Sequence, residues 1–218
     1  MSHSPLSLPK RSSDLIVSMG CWTTFQLEKY LKDGNRSALF LNESKFVRGF
    51  DGVDLSPGAR RMLTVPNAGG SSLWSEVMSF EVLKRTLKAS LLKTEMELKY
   101  VFENSKITDY SVTVFGLTIG VSVTRALKFR GKFTLADAES LLTKKLNGVV
   151  HSTRNSVDPF HKQILHVWAK DRNVGRLLRA AYRKMDNDEL KSNTVVVVTV
   201  VENADWIFFE PCKKKVAV

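Results

Sequence analysis

Cysteine is scarce in this chain. Cys21 and Cys212 stand far apart, which excludes a cysteine-rich metal site and implies no disulfide framework. Long apolar runs are missing too. The longest, 194–201, stops before Glu202, far short of the ~20 residues a membrane-spanning helix needs, so no membrane partner is expected. The first thirty residues hold no charged segment leading into an apolar core, as a secretory signal would. The expectation is an intracellular protein, nuclear or cytoplasmic. His3, His151, His161 and His166 are too scattered for zinc-ligand spacing. No glycine-rich elbow surrounds a serine or cysteine. Gly69-Gly70-Ser71-Ser72 precedes a predicted helix and could receive an anion at its N-terminus, but no Walker lysine follows. No internal repeat or low-complexity segment is visible.

Acidic residues are in deficit. Lys and Arg number 33 against 22 Asp and Glu, a formal charge of +11 over 218 residues. That balance favours a polyanionic partner, most simply nucleic acid; a basic soluble protein or a ribonucleoprotein subunit is the plain alternative. The length suffices for a proper core. Residues 1–70 read as an N-terminal extension and loop region, with 1–18 frayed and 51–72 crowded with turn pairs such as Asp51-Gly52 and Pro57-Gly58. Within it, 22–32 is a candidate short helix and 37–48 is ambiguous between strand and helix. Residues 71–218 read as one α/β domain.

The pattern predicts a helix over 72–87, strands over 91–100, 106–115 and 118–127, a helix over 134–149, a strand over 163–169, a helix over 173–185 and a strand over 194–201. Ser71 or Ser72 can cap the first helix. At about 100° per residue, Leu73, Val77, Phe80, Leu83 and Leu87 share one side, and Glu76 falls inside that apolar arc with Glu81 on its flank. A carboxylate within a buried stripe is costly unless paired or metal-bound; the plain alternative is an edge Glu that reaches water or pairs with Lys84 or Arg85. Glu103-Asn104-Ser105 and Gly116 supply turns for a meander, and Asp109 opens the second strand, where an Asp capping a strand end is the plain alternative to a metal ligand. Thr134 and Asp137 form a capping-box pattern, Lys145 lies at the edge of the apolar face that follows, and Gly148 marks a candidate helix end. The 194–201 run lacks polar alternation, as in a strand buried on both faces. Strand, helix, strand at this spacing implies a parallel pair, hence a mixed central sheet flanked by helices.

The order helix, three-stranded meander, helix, strand, with an acid opening the second strand, resembles the restriction-endonuclease-like, or PD-(D/E)XK, nuclease superfamily over 71–169. The resemblance implies a restriction-endonuclease-like core and a phosphodiester hydrolase using Mg²⁺ or Mn²⁺. Glu76 fits the acid on the first helix and Asp109 the metal-binding strand acid, although Thr108 stands where a Pro often precedes it. The third-strand Glu-x-Lys falls on Ser122-Val123-Thr124, so a hydroxyl replaces the acid and Thr124 the lysine. The lysine function can migrate in this family to the next helix, where Lys145 is the candidate. Glu95 or Glu97 could supply a carboxylate.

Arg172, Arg176, Arg179 and Arg183 recur at steps of four, three and four, on one helical face. Such a stripe suits phosphate oxygens, since each guanidinium donates in a fork; a solvated face pairing with nearby Asp residues is the plain alternative. Arg125 opens a second basic run with Lys128, Arg130 and Lys132, and Lys213-Lys214-Lys215 is a third. Three functions stay open: a nuclease in which Asp109 and Glu76 hold metal and Lys145 polarises water or phosphate, an inactive nuclease-like RNA- or DNA-binding subunit, and a basic α/β protein that mainly binds other proteins. The resemblance also leaves room for a protein partner or a homodimer.

Overall fold

The structure is a computed structural model and describes residues 14–47, 49, 52–67, 72–102, 105–186, 188–191, 193–202 and 204–209. Within them one seven-stranded sheet runs in the order β1-β2-β7-β6-β5-β4-β3. The strands are β1 (Leu15–Ser18), β2 (Ala38–Phe46), β3 (Ser90–Thr94), β4 (Tyr110–Val114), β5 (Leu117–Ala126), β6 (Lys162–Ala169) and β7 (Thr194–Glu202). The helices are α1 (Cys21–Lys32), α2 (Pro57–Thr64), α3 (Leu73–Leu87), α4 (Leu135–Asn155), α5 (Arg172–Lys184), α6 (Asp188–Lys191) and α7 (Asp205–Phe208). The protein is therefore α/β with a mixed sheet. β3, β4 and β5 form an antiparallel meander, while β5, β6, β7 and β2 run parallel. Among the described residues no helix is long and apolar enough to cross a membrane.

Two cores lie on opposite faces of the sheet. On β6, Ile164 and Trp168 belong to the core that also holds the buried side chains of α1, α2 and α3, while Leu165, Val167 and Ala169 belong to the one under α4 and α5. β6 is buried along its whole length, and β7 everywhere but Glu202, as parallel strands covered on both faces must be. β1, α1, β2 and α2, all from the stretch set apart by sequence, contribute to this sheet and core.

Several local expectations need correction. The turn-rich segment 51–72 contains α2. Ser56 caps it by accepting from Ala59 N–H, and Pro57 fits the first turn, where its missing N–H costs nothing. Gly58 is needed for contact: a Cβ there would lie 2.6 Å from the Phe80 ring. The strand expected over 91–100 ends at Thr94. Glu97 accepts the Thr94 N–H at 2.8 Å, and this capping box turns Glu95–Glu97 into a 3₁₀ helix. β4 starts only at Tyr110, after an irregular approach. Gly148 does not end α4, which runs on to Asn155; one glycine within a helix weakens it by only ~1 kcal/mol. Residues 1–13, Ser71, Glu103, Asn104 and Lys213-Lys214-Lys215 lie outside the described residues.

Candidate functional site

Asp109 sits one residue ahead of β4. Its N–H donates to Val121 O at 3.1 Å, and the register that pairs Tyr110 with Val121 brings it beside Ser122. Its carboxylate accepts the Val123 N–H at 2.5 Å. Glu76 lies in the first turn of α3, buried to 7% exposure. A helix N-terminus suits a carboxylate, and the Ser72 side chain hydrogen-bonds it. Lys145 comes from α4, half-buried, and Arg125 from β5, also half-buried.

The electrostatics tie these groups together. Burial pushes the Glu76 carboxyl up, and the Glu95 charge adds to that; the Ser72 hydrogen bond, Arg125 and Lys145 pull the other way. Asp109 keeps some exposed surface, yet its carboxyl is crowded by protein atoms. Burial pushes it well above the usual aspartate range, and the Glu76 charge adds; the Val123 N–H opposes. Glu95 and Lys145 act on it more weakly. Two like-charged carboxyls thus share one poorly solvated place, the arrangement that raises carboxylate pKa values at functional sites.

The structure thus brings Glu76, Asp109 and Lys145 into one electrostatic neighbourhood with Arg125 and Glu95. Arg125 Nη1 also donates to Phe208 O at 3.2 Å and Ile207 O at 3.5 Å, so it braces α7. Arg172, Arg176, Arg179 and Arg183 belong instead to α5, which packs on α4, β2, β6 and β7. Arg172 forms a two-pronged pair with Glu43, both bonds 2.8 Å, and the other three are exposed. Glu97 pairs with Arg61. Glu81 is buried in a structural role: it accepts from Ser56 N–H at 2.5 Å and Arg85 Nε at 3.2 Å, and Arg85 in turn grips Asp14.

Among the described residues no group of three or more His, Cys, Asp and Glu side chains could hold a metal ion. Two hard carboxylates, Glu76 and Asp109, repel each other here, and a cation between them would relieve that repulsion. That fits Mg²⁺, which keeps several waters and commonly takes one or two carboxylates.

Two cavities flank Lys145. One of about 140 Å³ is lined by Lys106, Asp109, Ser122, Lys144 and Lys145 among others. The second, about 500 Å³, is lined by Thr124, Arg125, Phe129, Lys145, Phe208 and Phe209 among others. Sequence reasoning missed the aromatic wall of the larger one. Its signal is an aromatic interleaved with cations, Lys128-Phe129-Arg130.

No family model matches the chain. The chain is similar to the AAC-rich mRNA clone AAC4 protein of Dictyostelium discoideum, 45% identical over 162 residues. That match covers 71% of this chain but 24% of the relative, so the chain spans about a quarter of the length of the curated protein it matches. Among solved structures it is similar to Pyrococcus furiosus SfsA, described in complex with Ca²⁺. The TM-score is 0.28 and the identity 10%, covering 63% of this chain and 69% of that one.

Proposed function

We propose that this protein acts on nucleic acid through a restriction-endonuclease-like core, as a phosphodiesterase dependent on Mg²⁺ or Mn²⁺. One observation carries the reading: Asp109, just ahead of the second strand of a meander, and Lys145 from the next helix line one cavity, and the buried Glu76 of the preceding helix acts electrostatically on Asp109. The element order of α3, the meander, α4 and β6 supports it.

Glu76 and Asp109 would hold the ion. A bound divalent cation supplies Lewis-acid polarisation and a more acidic water. Lys145 Nζ donates to the attacking water or to a non-bridging phosphate oxygen, standing in for the lysine missing at Thr124. Arg125 offsets the Glu76 charge while bracing α7. The exposed Arg176, Arg179 and Arg183 grip backbone phosphates elsewhere on the surface.

A second reading, a non-catalytic RNA- or DNA-binding subunit, is favoured by Ser122 at the third-strand acid position and by the absence, among the described residues, of three His, Cys, Asp or Glu side chains grouped to hold a metal ion. Labelled single- and double-stranded DNA and RNA, incubated with Mg²⁺ or Mn²⁺, separate the two. Cleavage that needs the ion and is lost in Asp109→Ala supports the enzyme. Salt-sensitive binding without cleavage, unchanged in Asp109→Ala, selects the binding subunit.

A further inference from the structure

We infer that the larger cleft beside the acid pair takes an unpaired nucleobase, making single-stranded nucleic acid the preferred ligand of this site. The inference rests on the reading that the protein acts on nucleic acid, and it deepens that reading by naming the substrate class.

The cleft has the size and chemistry for a base. At about 500 Å³ it lies in the range that organic ligands occupy. Leu127 and Phe208 contribute apolar lining, and Phe129 and Phe209 stand at its wall. Phe129 is 87% exposed, the most open large apolar side chain among the described residues. Phe209 is 46% exposed, but Lys170 Nζ lies 5.9 Å from its ring centroid. Phe129 is therefore the principal stacking platform.

The charges around these rings point to a polyanion. Arg125 and Lys145 line the same cleft, and Arg130 and Lys132 flank Phe129 on an exposed loop. Lys128 is committed elsewhere, bonded to both Asp137 oxygens at 2.8 and 3.0 Å. Aromatic faces set among cations are how proteins hold single strands without reading sequence. A duplex hides its π-faces in the stack and could use only the cations. Lys145 lines both this cleft and the smaller cavity that holds Asp109. A base seated on Phe129 would thus bring its phosphate toward the acid pair.

The test uses a fluorescein-labelled 12-nucleotide single strand, as DNA and as RNA, and a hairpin duplex of matching composition. Anisotropy is read in EDTA, so that cleavage plays no part. A second single strand carries 2-aminopurine, whose fluorescence is quenched by stacking. The wild type should bind the single strand more tightly than the duplex and quench the 2-aminopurine. Phe129→Ala should weaken single-strand binding by roughly tenfold, the scale of one base–aromatic stack, and abolish the quenching. Phe129→Trp should restore both. Single-strand binding that ignores Phe129→Ala, or a preference for the duplex, overturns this inference alone and leaves the phosphodiesterase reading standing. Failure of the wild type to bind any of the three probes at low salt, in EDTA and again with Ca²⁺ in its place, overturns both.

Discussion

The Ser79 hydroxyl lies 2.7 Å from the Tyr110 hydroxyl, and this buried bond joins the helix that carries Glu76 to the strand that follows Asp109. Ser79 also meets His166 Nδ1 at 2.6 Å, and His166 Nε2 meets Thr199 Oγ1 at 2.7 Å. One turn earlier on α3, Trp168 Nε1 donates to Ser75 O at 2.9 Å. Helix α3 is thus pinned to β4 and β6 by polar bonds inside an apolar core. Burial pulls the His166 imidazole down to about 3, so the ring is neutral here and serves the network as one donor and one acceptor.

Ser79→Ala should cost roughly 1–3 kcal/mol, because it strands two buried polar groups. Urea unfolding measures the loss. Tyr110→Phe combined with Ser79→Ala should cost less than the two singles summed, since the pair shares one bond. Strict additivity would show that the bond does not couple helix to strand.

Asp109→Asn should stabilise the protein while abolishing cleavage. The Asp109 carboxyl is raised well above its ordinary 3.8, chiefly by burial. The native state then holds its proton more tightly than the unfolded chain does. Stability falls as pH rises from 3.8 through the raised value, and the whole penalty is present above it. The Asn variant should lack this fall and gain ~0.5–2 kcal/mol on the alkaline side. Thermal melts from acid to neutral pH compare the two profiles; parallel curves would sink the assignment.

Mg²⁺ should raise the melting temperature of the wild type but not of Glu76→Gln or Asp109→Asn. At tenfold above Kd the ion adds about 1.4 kcal/mol. Its affinity should climb with pH, because both acids must lose their protons to bind it. Equal Mg²⁺ shifts in all three proteins would show the ion binding elsewhere.

Arg179→Ala and Arg183→Ala should each flatten the dependence of log affinity on log salt by roughly 0.7–0.9, the share of one phosphate contact. Arg172→Ala should change it less, since Glu43 already holds that guanidinium. If the slope ignores all three, α5 does not face the polynucleotide.

Lys162 is fully buried, and its ammonium donates to the carbonyls of Asp33, Gly34 and Arg36. Lys162→Met should cost roughly 1–3 kcal/mol through carbonyls left without a donor. Denaturant midpoints read the change; an unaltered midpoint would mean that water replaces the ammonium freely.

Much of this protein was legible in the sequence because it depends on local pattern. Periodicity marked α3, α4, α5, β5, β6 and β7 to within a few residues, apart from the C-terminal end of α4, since amphipathic and wholly apolar runs read directly as burial. The Thr134–Asp137 box was readable for the same reason: both partners lie within one turn. Tertiary structure decided the rest. Glu95–Glu97 alternates like a strand, yet the Glu97 cap on Thr94 wins over that pattern. Pro57-Gly58 reads as a turn, yet Ser56 and the Phe80 ring make it the start of a helix. That β2 pairs with β7 across most of the chain, that Lys162 closes on a loop over a hundred residues away, and that Phe129 shares a cleft with Phe209 depend on which strands lie side by side. The sequence set the strongly periodic elements and the faces they bury. Only the packed sheet brought Glu76, Asp109 and Lys145 to one place, because contacts between distant segments form where the whole core is buried at once, and no local window contains that choice.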